Sequence, residues 1–380
     1  MKTLLNSSDY LSPEIYEAEQ TAIFRSTWQF VGYGHQLSEN DAWITAEIGG
    51  IAIFVQNCDG ELKGFVNSCS HRFSRLRVGE SGKGCIQCPY HGWRYNRDGF
   101  PSAIPSKPRF EDLSPERLRE LRLDTVMVDS IGPFIFACLN PGVRPARDCF
   151  EGIAHHIENI GSALGPAIGV VDIEISANWK LVVENTLEGY HLPWVHGDTF
   201  GKLDMGYPVF EVIGNQATSY APVSRATLDG FAKINRRFQN RPYHNEGYFH
   251  TVAFPAFGLG TLYGMTFAVQ RFIPMAPERT RLQVDLFGTK LDGTIDGINS
   301  SILNHFYAMS VEFSRKVCLE DLGIVELQQQ GIRARKQGGI LSYEEQRIVG
   351  FQCAYLHLMT SAPTVCNETT PCRHSNTPIL

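Results

Sequence analysis

Four metal-ligating side chains fall in two short runs, Cys69-Ser-His71 and Cys88-Pro-Tyr-His91, with 16 residues between them. Ligands so placed require two loops that face one another, because thiolates and imidazoles must converge on a shared centre. Structural zinc sites more often pair ligands of one kind, as C-x2-C or H-x3-5-H. Here each run contributes one Cys and one His. That order suits a [2Fe–2S] cluster in which the cysteines hold one iron and the histidines the other. Such ligation raises the reduction potential above that of an all-Cys cluster. Zinc is the rival reading. Pro89 and Gly92 favour a tight loop whose backbone N–H groups can point at sulfur.

A second group reads Glu188-Gly-Tyr-His191-Leu-Pro-Trp-Val-His196. Residues 181–190 have helical character, and on a helix Glu184, Glu188 and His191 would share a face. A continuous helix would carry His196 away from His191. Pro193 lies between them and has no N–H for the helical ladder, so a broken turn could bring the imidazoles together. Either histidine alone reads more simply as core or surface. As a pair after a carboxylate, beside a redox cluster, they point to a separate mononuclear iron. Two histidines need a carboxylate to complete the 2-His-1-carboxylate set that leaves positions open for O2. Glu188 is nearby, with Glu184 a further candidate, but Asp321 fits better. It interrupts an apolar stripe of Phe306, Met309, Phe313, Val317, Ile324 and Gln328 on a long helix, and a buried carboxylate calls for a partner. The competing readings pair Asp321 with Arg315 or turn it outward.

The 380 residues suffice for two domains, and the net charge of −6 argues against nucleic acid. No run is long enough for a membrane span, and the first residues lack the apolar stretch of a signal peptide. Apart from Cys69 and Cys88, the cysteines (Cys58, Cys85, Cys138, Cys149, Cys318, Cys353, Cys366, Cys372) are scattered. They read as reduced thiols of a cytoplasmic protein. Cys366, Cys372 and His374 are too loosely spaced to favour a third metal.

Ser12-Pro13-Glu14 predicts a helix start, with the helix running through Ile15, Phe24 and Trp28. Strands are expected from about Trp43. Those at 51–56 and 62–67 flank the turn dipeptide Asp59-Gly60, and the last of this set covers 131–139. Further strands are expected at 170–176, 251–254, 260–273 and 280–288, then a helix at 300–334. A capping box from Ser342 to Glu345 opens a final helix through Ile348, Phe351 and Tyr355. The chain thus reads as α+β: an N-terminal helical segment (1–39), a small antiparallel β domain (40–142), a larger mixed domain (143–360) and a loose tail (361–380).

Cys69-Ser-His71-Arg72 and Cys88-Pro-Tyr-His91-Gly92-Trp93 resemble the two cluster loops of Rieske proteins. Together with Asn178-Trp-Lys, Glu184-Asn185, Glu188-Gly-Tyr-His191, His196, Glu320-Asp321-Leu and Gln328-x-x-Gly331, they carry a wider resemblance. Nearly the whole chain resembles the α subunit, the terminal oxygenase component, of Rieske non-haem iron oxygenases. The resemblance implies that Cys69, His71, Cys88 and His91 hold the cluster and that His191, His196 and Asp321 hold the iron. It places Asn185 and Glu188 among the catalytic residues. Glu188 stands where most of the family has an Asp bridging cluster and iron, and Glu there is similar to oxygenases related to carnitine and choline monooxygenases. The implied fold is a Rieske antiparallel β domain plus a helix-grip (START-like) catalytic domain, with a curved antiparallel sheet and a long C-terminal helix. The implied assembly is a homotrimer in which one subunit's cluster serves its neighbour's iron. The Glu variant and the chain's length point to monooxygenases without a β subunit.

The chain has no G-x-G-x-x-G signal and no plant-type ferredoxin Cys run. Electrons from NAD(P)H must therefore arrive through a separate reductase, with or without a ferredoxin, for O2 to hydroxylate a small substrate. Phe210, Tyr220, Phe231, Tyr243, Phe249, Phe254, Phe257 and Tyr263 could line a pocket for an aromatic or heterocyclic compound, the favoured reading. They could instead cage a quaternary ammonium or N-methyl compound, or be ordinary sheet core. Arg236, Arg237 and Arg241 could hold a substrate carboxylate, though a solvated loop is the simpler reading. A Rieske protein confined to electron transfer or ligand binding would leave the second metal group without a purpose.

Overall fold

The computed structural model describes residues 1–360 apart from 112, 204, 207, 236–242, 244, 292–296 and 336–337. Arg236, Arg237, Arg241, Cys366, Cys372, His374 and the tail 361–380 lie outside the described residues. Two compact units form: Glu19–Cys149, and Met1–Ala18 together with the chain from Phe150 onward.

The Glu19–Cys149 unit is a seven-stranded sheet of order β1-β9-β8-β4-β3-β2-β5 beside a two-stranded ribbon, β6-β7. Its strands are β1 (Gln29–Tyr33), β2 (Ala42–Ile48), β3 (Ile51–Cys58), β4 (Glu61–Val66), β5 (Ser81–Lys83), β6 (Arg94–Tyr95), β7 (Pro101–Ala103), β8 (Thr125–Ile131) and β9 (Phe134–Cys138). The hairpin between β3 and β4 turns at Asp59 and Gly60, with φ of 57° and 90°. Both are left-handed, as a two-residue turn matching strand twist requires. The 131–139 strand is in fact the end of β8 and all of β9, separated by a turn at Gly132. Trp28 is not helical either. The helix begun at Pro13 closes with a π turn, Gln20–Phe24, and Trp28 leads into β1, which pairs with β9. That strand falls within the segment read as helical because its apolar run Phe30-Val31 suits either structure.

The second unit is built on seven antiparallel strands of order β10-β16-β15-β14-β13-β12-β11. They are β10 (Leu164–Ile175), β11 (Val209–Ile213), β12 (Gln216–Pro222), β13 (Gly247–Ala253), β14 (Phe257–Leu262), β15 (Thr266–Ala276) and β16 (Arg279–Thr289). The 260–273 strand is two strands, folded back at Tyr263 and Gly264 with φ of 57° and 63°. A non-glycine residue in that first turn position left no dipeptide signal. The curled sheet grips the long helix Gly297–Ile332, which packs on β10. Two glycines permit the close approach. A Cβ on Gly169 would stand 2.8 Å from a Val311 methyl, and one on Gly288 would stand 2.3 Å from the Tyr307 ring.

The helix buries Leu303, Tyr307, Cys318, Val325 and Gln329, whereas Met309 is 60 % exposed and Ile324 42 %. Its inner face is thus rotated from the apolar stripe read in the sequence, and Asp321 lies at the margin of that face. At the end of the unit, Ser342 N–H donates to Glu345 Oε2 at 2.7 Å, the capping contact expected there. The helix that follows, Gln346–Thr360, buries Ile348, Phe351 and Tyr355. Among the described residues no helix is long and apolar enough to cross a membrane.

Candidate cluster loops and metal centre

The two cluster loops have the same local construction. Phe73 N–H donates to Cys69 O at 2.8 Å, and Gly92 N–H donates to Cys88 O at 3.0 Å. The donor residue is left-handed in both, with φ of 61° at Phe73 and 73° at Gly92. Glycine takes this conformation freely, whereas phenylalanine does so at a cost. Both cysteines are buried in an apolar cluster with Phe54, Phe65, Trp93 and Tyr95. Tyr95 OH accepts from Ser70 N–H at 3.0 Å, so its own hydrogen can be directed to Cys69 Sγ, 3.1 Å away. The His71 and His91 rings stand 4.7 Å apart, and His71 stacks on Trp93 at 4.9 Å.

These residues fit a two-iron cluster. His71 Nδ1 is buried without a hydrogen-bond partner among the described residues, a state that a metal bond would relieve. Burial, then His91 and Arg72, lower the His71 pKa and favour the neutral imidazole that ligation needs. Among the described residues, no three of these four ligands form a group whose donor atoms all lie within 4.8 Å of one another. A single zinc ion would need them that close; two irons and their sulfides would not.

The second group is built from three segments. The helix α1 (Trp179–Thr186) carries Asn185, then stops, so Glu188 lies in the connection that follows. His191 and His196 cap the two ends of a one-turn helix, α2 (Leu192–Val195), which has Pro193 in its first turn. The broken turn brings the imidazoles together, with His191 Nε2 and His196 Nε2 3.2 Å apart. The long helix, α3 (Gly297–Ile332), supplies Asp321, whose Oδ1 is 3.0 Å from His196 Nε2 and 3.4 Å from His191 Nε2. Among the described residues this is the one group of three or more potential ligands whose atoms all lie within 4.8 Å. Glu184 takes no part. The helical face proposed for it does not extend past Thr186, and its carboxylate accepts instead from Tyr10 OH at 2.9 Å and Gln352 Nε2 at 2.8 Å.

The surrounding polar groups settle which ring nitrogens remain available. His191 Nδ1 donates to Glu188 Oε1 in a short hydrogen bond. His196 Nδ1 donates to Glu320 Oε2 at 2.7 Å, and Thr199 Oγ1 donates to the same oxygen at 2.6 Å. Burial lowers the His191 pKa, but Asp321 and Glu188 raise it to about 9, so without a metal the Nε2–H groups donate to Asp321 Oδ1. Once neutral, the imidazoles turn lone pairs on both Nε2 atoms toward that oxygen. Three lone pairs aimed at one point repel unless a cation lies among them, so the donor set fits a metal ion. Asn185 Nδ2 donates to Asp321 Oδ1 at 2.9 Å and orients that carboxylate. Burial would raise the Asp321 pKa, but its hydrogen bonds with His191 and His196 hold it at about 2. Glu320 was visible only as the acid preceding Asp321; no sequence spacing links it to His196.

A cavity of about 520 Å3 opens on this group, within the range of small-molecule sites. Of the aromatic residues singled out from the sequence, Phe210 alone lines it among the described residues. Others pack elsewhere: Phe231, on the helix Arg225–Asn235, stacks on Tyr263 at 5.0 Å, and Phe254 meets Phe351 at 5.5 Å. The rings that do reach the cavity, Phe200 and Tyr248, and the polar His250 and Arg347 beside them, carried no sequence signal.

Residues 166–361 match the ring hydroxylating alpha subunit (catalytic domain) family, and residues 27–122 match the Rieske [2Fe-2S] domain. The chain belongs to the ring-hydroxylating alpha subunit family and is a Rieske oxygenase, with a Rieske [2Fe–2S] cluster and a mononuclear iron as its cofactors. It is 27 % identical over 368 residues to chloroplastic choline monooxygenase of Atriplex hortensis, covering 92 % of this chain and 76 % of that protein. It superposes with a TM-score of 0.75 on the quaternary ammonium Rieske monooxygenase CntA in complex with L-carnitine. That match has 21 % identity and covers 94 % of this chain and 95 % of CntA. Naphthalene 1,2-dioxygenase from Rhodococcus sp. bound to indole gives 0.74 at 16 % identity, covering 93 % of each chain.

Proposed function

We propose that this oxygenase is a monooxygenase of a small N-methylated ammonium compound, supplied with NAD(P)H electrons by a separate reductase. The observation that carries its oxygenase chemistry is the convergence of His191 Nε2, His196 Nε2 and Asp321 Oδ1 at the wall of the cavity. The ammonium reading draws on the choline-oxidising relative and on a corner formed by Phe200 and Tyr248, whose rings stand 5.2 Å apart at 60°. Such faces attract a methylated cation. The same rings and Phe210 support an aromatic or heterocyclic substrate as the second reading.

In this reading Cys69 and Cys88 hold one iron of the cluster, and His71 and His91 hold the other. His191, His196 and Asp321 hold the mononuclear iron. When bound, the cluster supplies electrons singly and the mononuclear iron supplies O2 activation. Glu188 and Glu320 fix the tautomers of the two histidines, and Asn185 holds the Asp321 carboxylate in place. Phe200 and Phe210 turn apolar faces to the cavity and limit water around the substrate. In the net reaction one oxygen atom enters a substrate C–H bond and the other leaves as water, with two electrons and two protons consumed.

The proposed assembly is a homotrimer in which Glu188 links a neighbour's cluster to His191. Its hydrogen bond to His191 Nδ1 supports that role. Cytoplasmic residence is supported by the free thiols of Cys58, Cys85 and Cys318.

Oxygen uptake by the reduced holoenzyme, measured with N-methyl ammonium compounds and with aromatic acids, tests the substrate class. Uptake coupled to product is expected with the ammonium set. Coupled uptake with the aromatic set alone would replace that reading by the second one.

A further inference from the structure

Arg347 lies in the first turn of the helix Gln346–Thr360, is 4 % exposed, and lines the same cavity as the metal group. It is the only lysine or arginine among the described lining residues. Its Nη2 donates to Thr186 O at 3.4 Å, a weak contact, and its Nη1 has no partner among the described residues. Among the described residues Arg347 forms no ion pair, although the carboxylates of Glu188 and Glu344 line the same cavity. Glu188, the acid whose charge acts on Arg347, already accepts from His191 Nδ1, Tyr190 N–H and His191 N–H. Burial lowers the Arg347 pKa to about 10, so the group is still a cation at neutral pH.

His250, 3 % exposed, lines the same cavity. Its Nε2 is 2.9 Å from Gln270 Oε1, and its Nδ1 is also without a partner among the described residues. Burial, then the charge of Arg347, lower its pKa to about 4, so this imidazole is neutral. Arg347 therefore presents to the cavity a positive charge that no ion pair among the described residues neutralises. A charge withdrawn from water and left unpaired is among the costliest arrangements a fold can hold. It is expected where a ligand brings the counter-charge, and a planar guanidinium matches a carboxylate in shape as well as sign.

We infer that Arg347 pairs with a carboxylate on the substrate, so that the oxygenase takes ammonium acids in preference to amino alcohols such as choline. The ammonium half of this statement rests on the proposed function; the carboxylate half rests on Arg347 alone.

Calorimetric titration of the anaerobic holoenzyme with two matched probe pairs tests it. One pair is 4-trimethylammoniobutyrate and its amide; the other is 3-phenylpropionate and its amide. The acid of the pair that suits the cavity is expected to bind about 30-fold more tightly than its amide, the scale of a buried charge pair. Arg347→Met should abolish that difference by weakening the acid alone, and Arg347→Lys should keep part of it. Iron content and the visible spectrum show that each variant retains its sites. Equal binding of acid and amide in both pairs by the unaltered enzyme overturns the inference without recourse to a variant. So does an acid preference that survives Arg347→Met, or failure of both acids to bind. An acid preference confined to the phenyl pair leaves the Arg347 anchor standing and removes the ammonium reading.

Discussion

The carboxylate of Glu320 accepts the Nδ1 proton of His196 at 2.7 Å, and that bond decides which nitrogen of the ring faces Asp321. The same carboxylate is held by Thr199 Oγ1, so the ring is oriented from a fixed point on α3.

Replacing Glu320 by Ala frees the His196 ring and its tautomer. Fe(II) affinity should fall by about 10–100-fold, the usual cost of losing a carboxylate behind a ligating histidine. Glu320→Gln, which still offers an acceptor oxygen, should lose less. Anaerobic equilibrium dialysis followed by iron analysis measures both, and an unchanged affinity in the Ala variant would show that the tautomer is set elsewhere.

Removing any of His191, His196 or Asp321 should empty the mononuclear site while the visible spectrum of the cluster persists. Iron should drop from three to two atoms per chain, and turnover should vanish. Full iron in Asp321→Ala would require another ligand, and Glu188, already beside His191, would be examined next.

Glu188→Gln keeps the shape of the side chain and removes its charge. Both metal sites and reduction of the cluster by the reductase should survive, while single-turnover oxidation of the pre-reduced cluster slows by roughly two orders of magnitude or more. An undiminished rate would take the electron bridge away from this residue.

Glu184 sits in a buried network with Tyr10 and Gln352, and burial raises its pKa from 4.5 to about 7. Between these values the folded protein binds the proton that the unfolded chain has released. The associated stability is complete below about pH 4.5 and is lost as pH rises through 7. Thermal unfolding of the holoenzyme from pH 5 to 8 should therefore show a falling midpoint that Glu184→Gln flattens. Parallel profiles for the two proteins would place the pH dependence elsewhere.

Much of the site was legible because its donors sit in short runs. Cys69 with His71, Cys88 with His91, and His191 with His196 each lie within one loop or one turn, where residue type and spacing constrain geometry directly. The hairpin at Asp59-Gly60 and the cap at Ser342 were legible for the same reason. The stripe on α3 was less so. A helical period shows that some face is buried, but the packing of β10 against Val311 selects which one. Asp321 reaches the histidines from the margin of that face.

The sequence by itself determined the two metal groups, the antiparallel character of the smaller unit and the long helix beneath the larger sheet. All of these follow from local ligand spacing, turn chemistry and periodicity. Only the tertiary structure decided that Glu320 would orient His196, that Phe200 and Tyr248 would meet at the cavity, and that Arg347 would be buried there without an ion pair among the described residues. Glu320 and His196 are 124 positions apart, and no periodicity carries information over such a separation. Their meeting is set by how the sheet curls around the helix, which is a property of the packed chain as a whole.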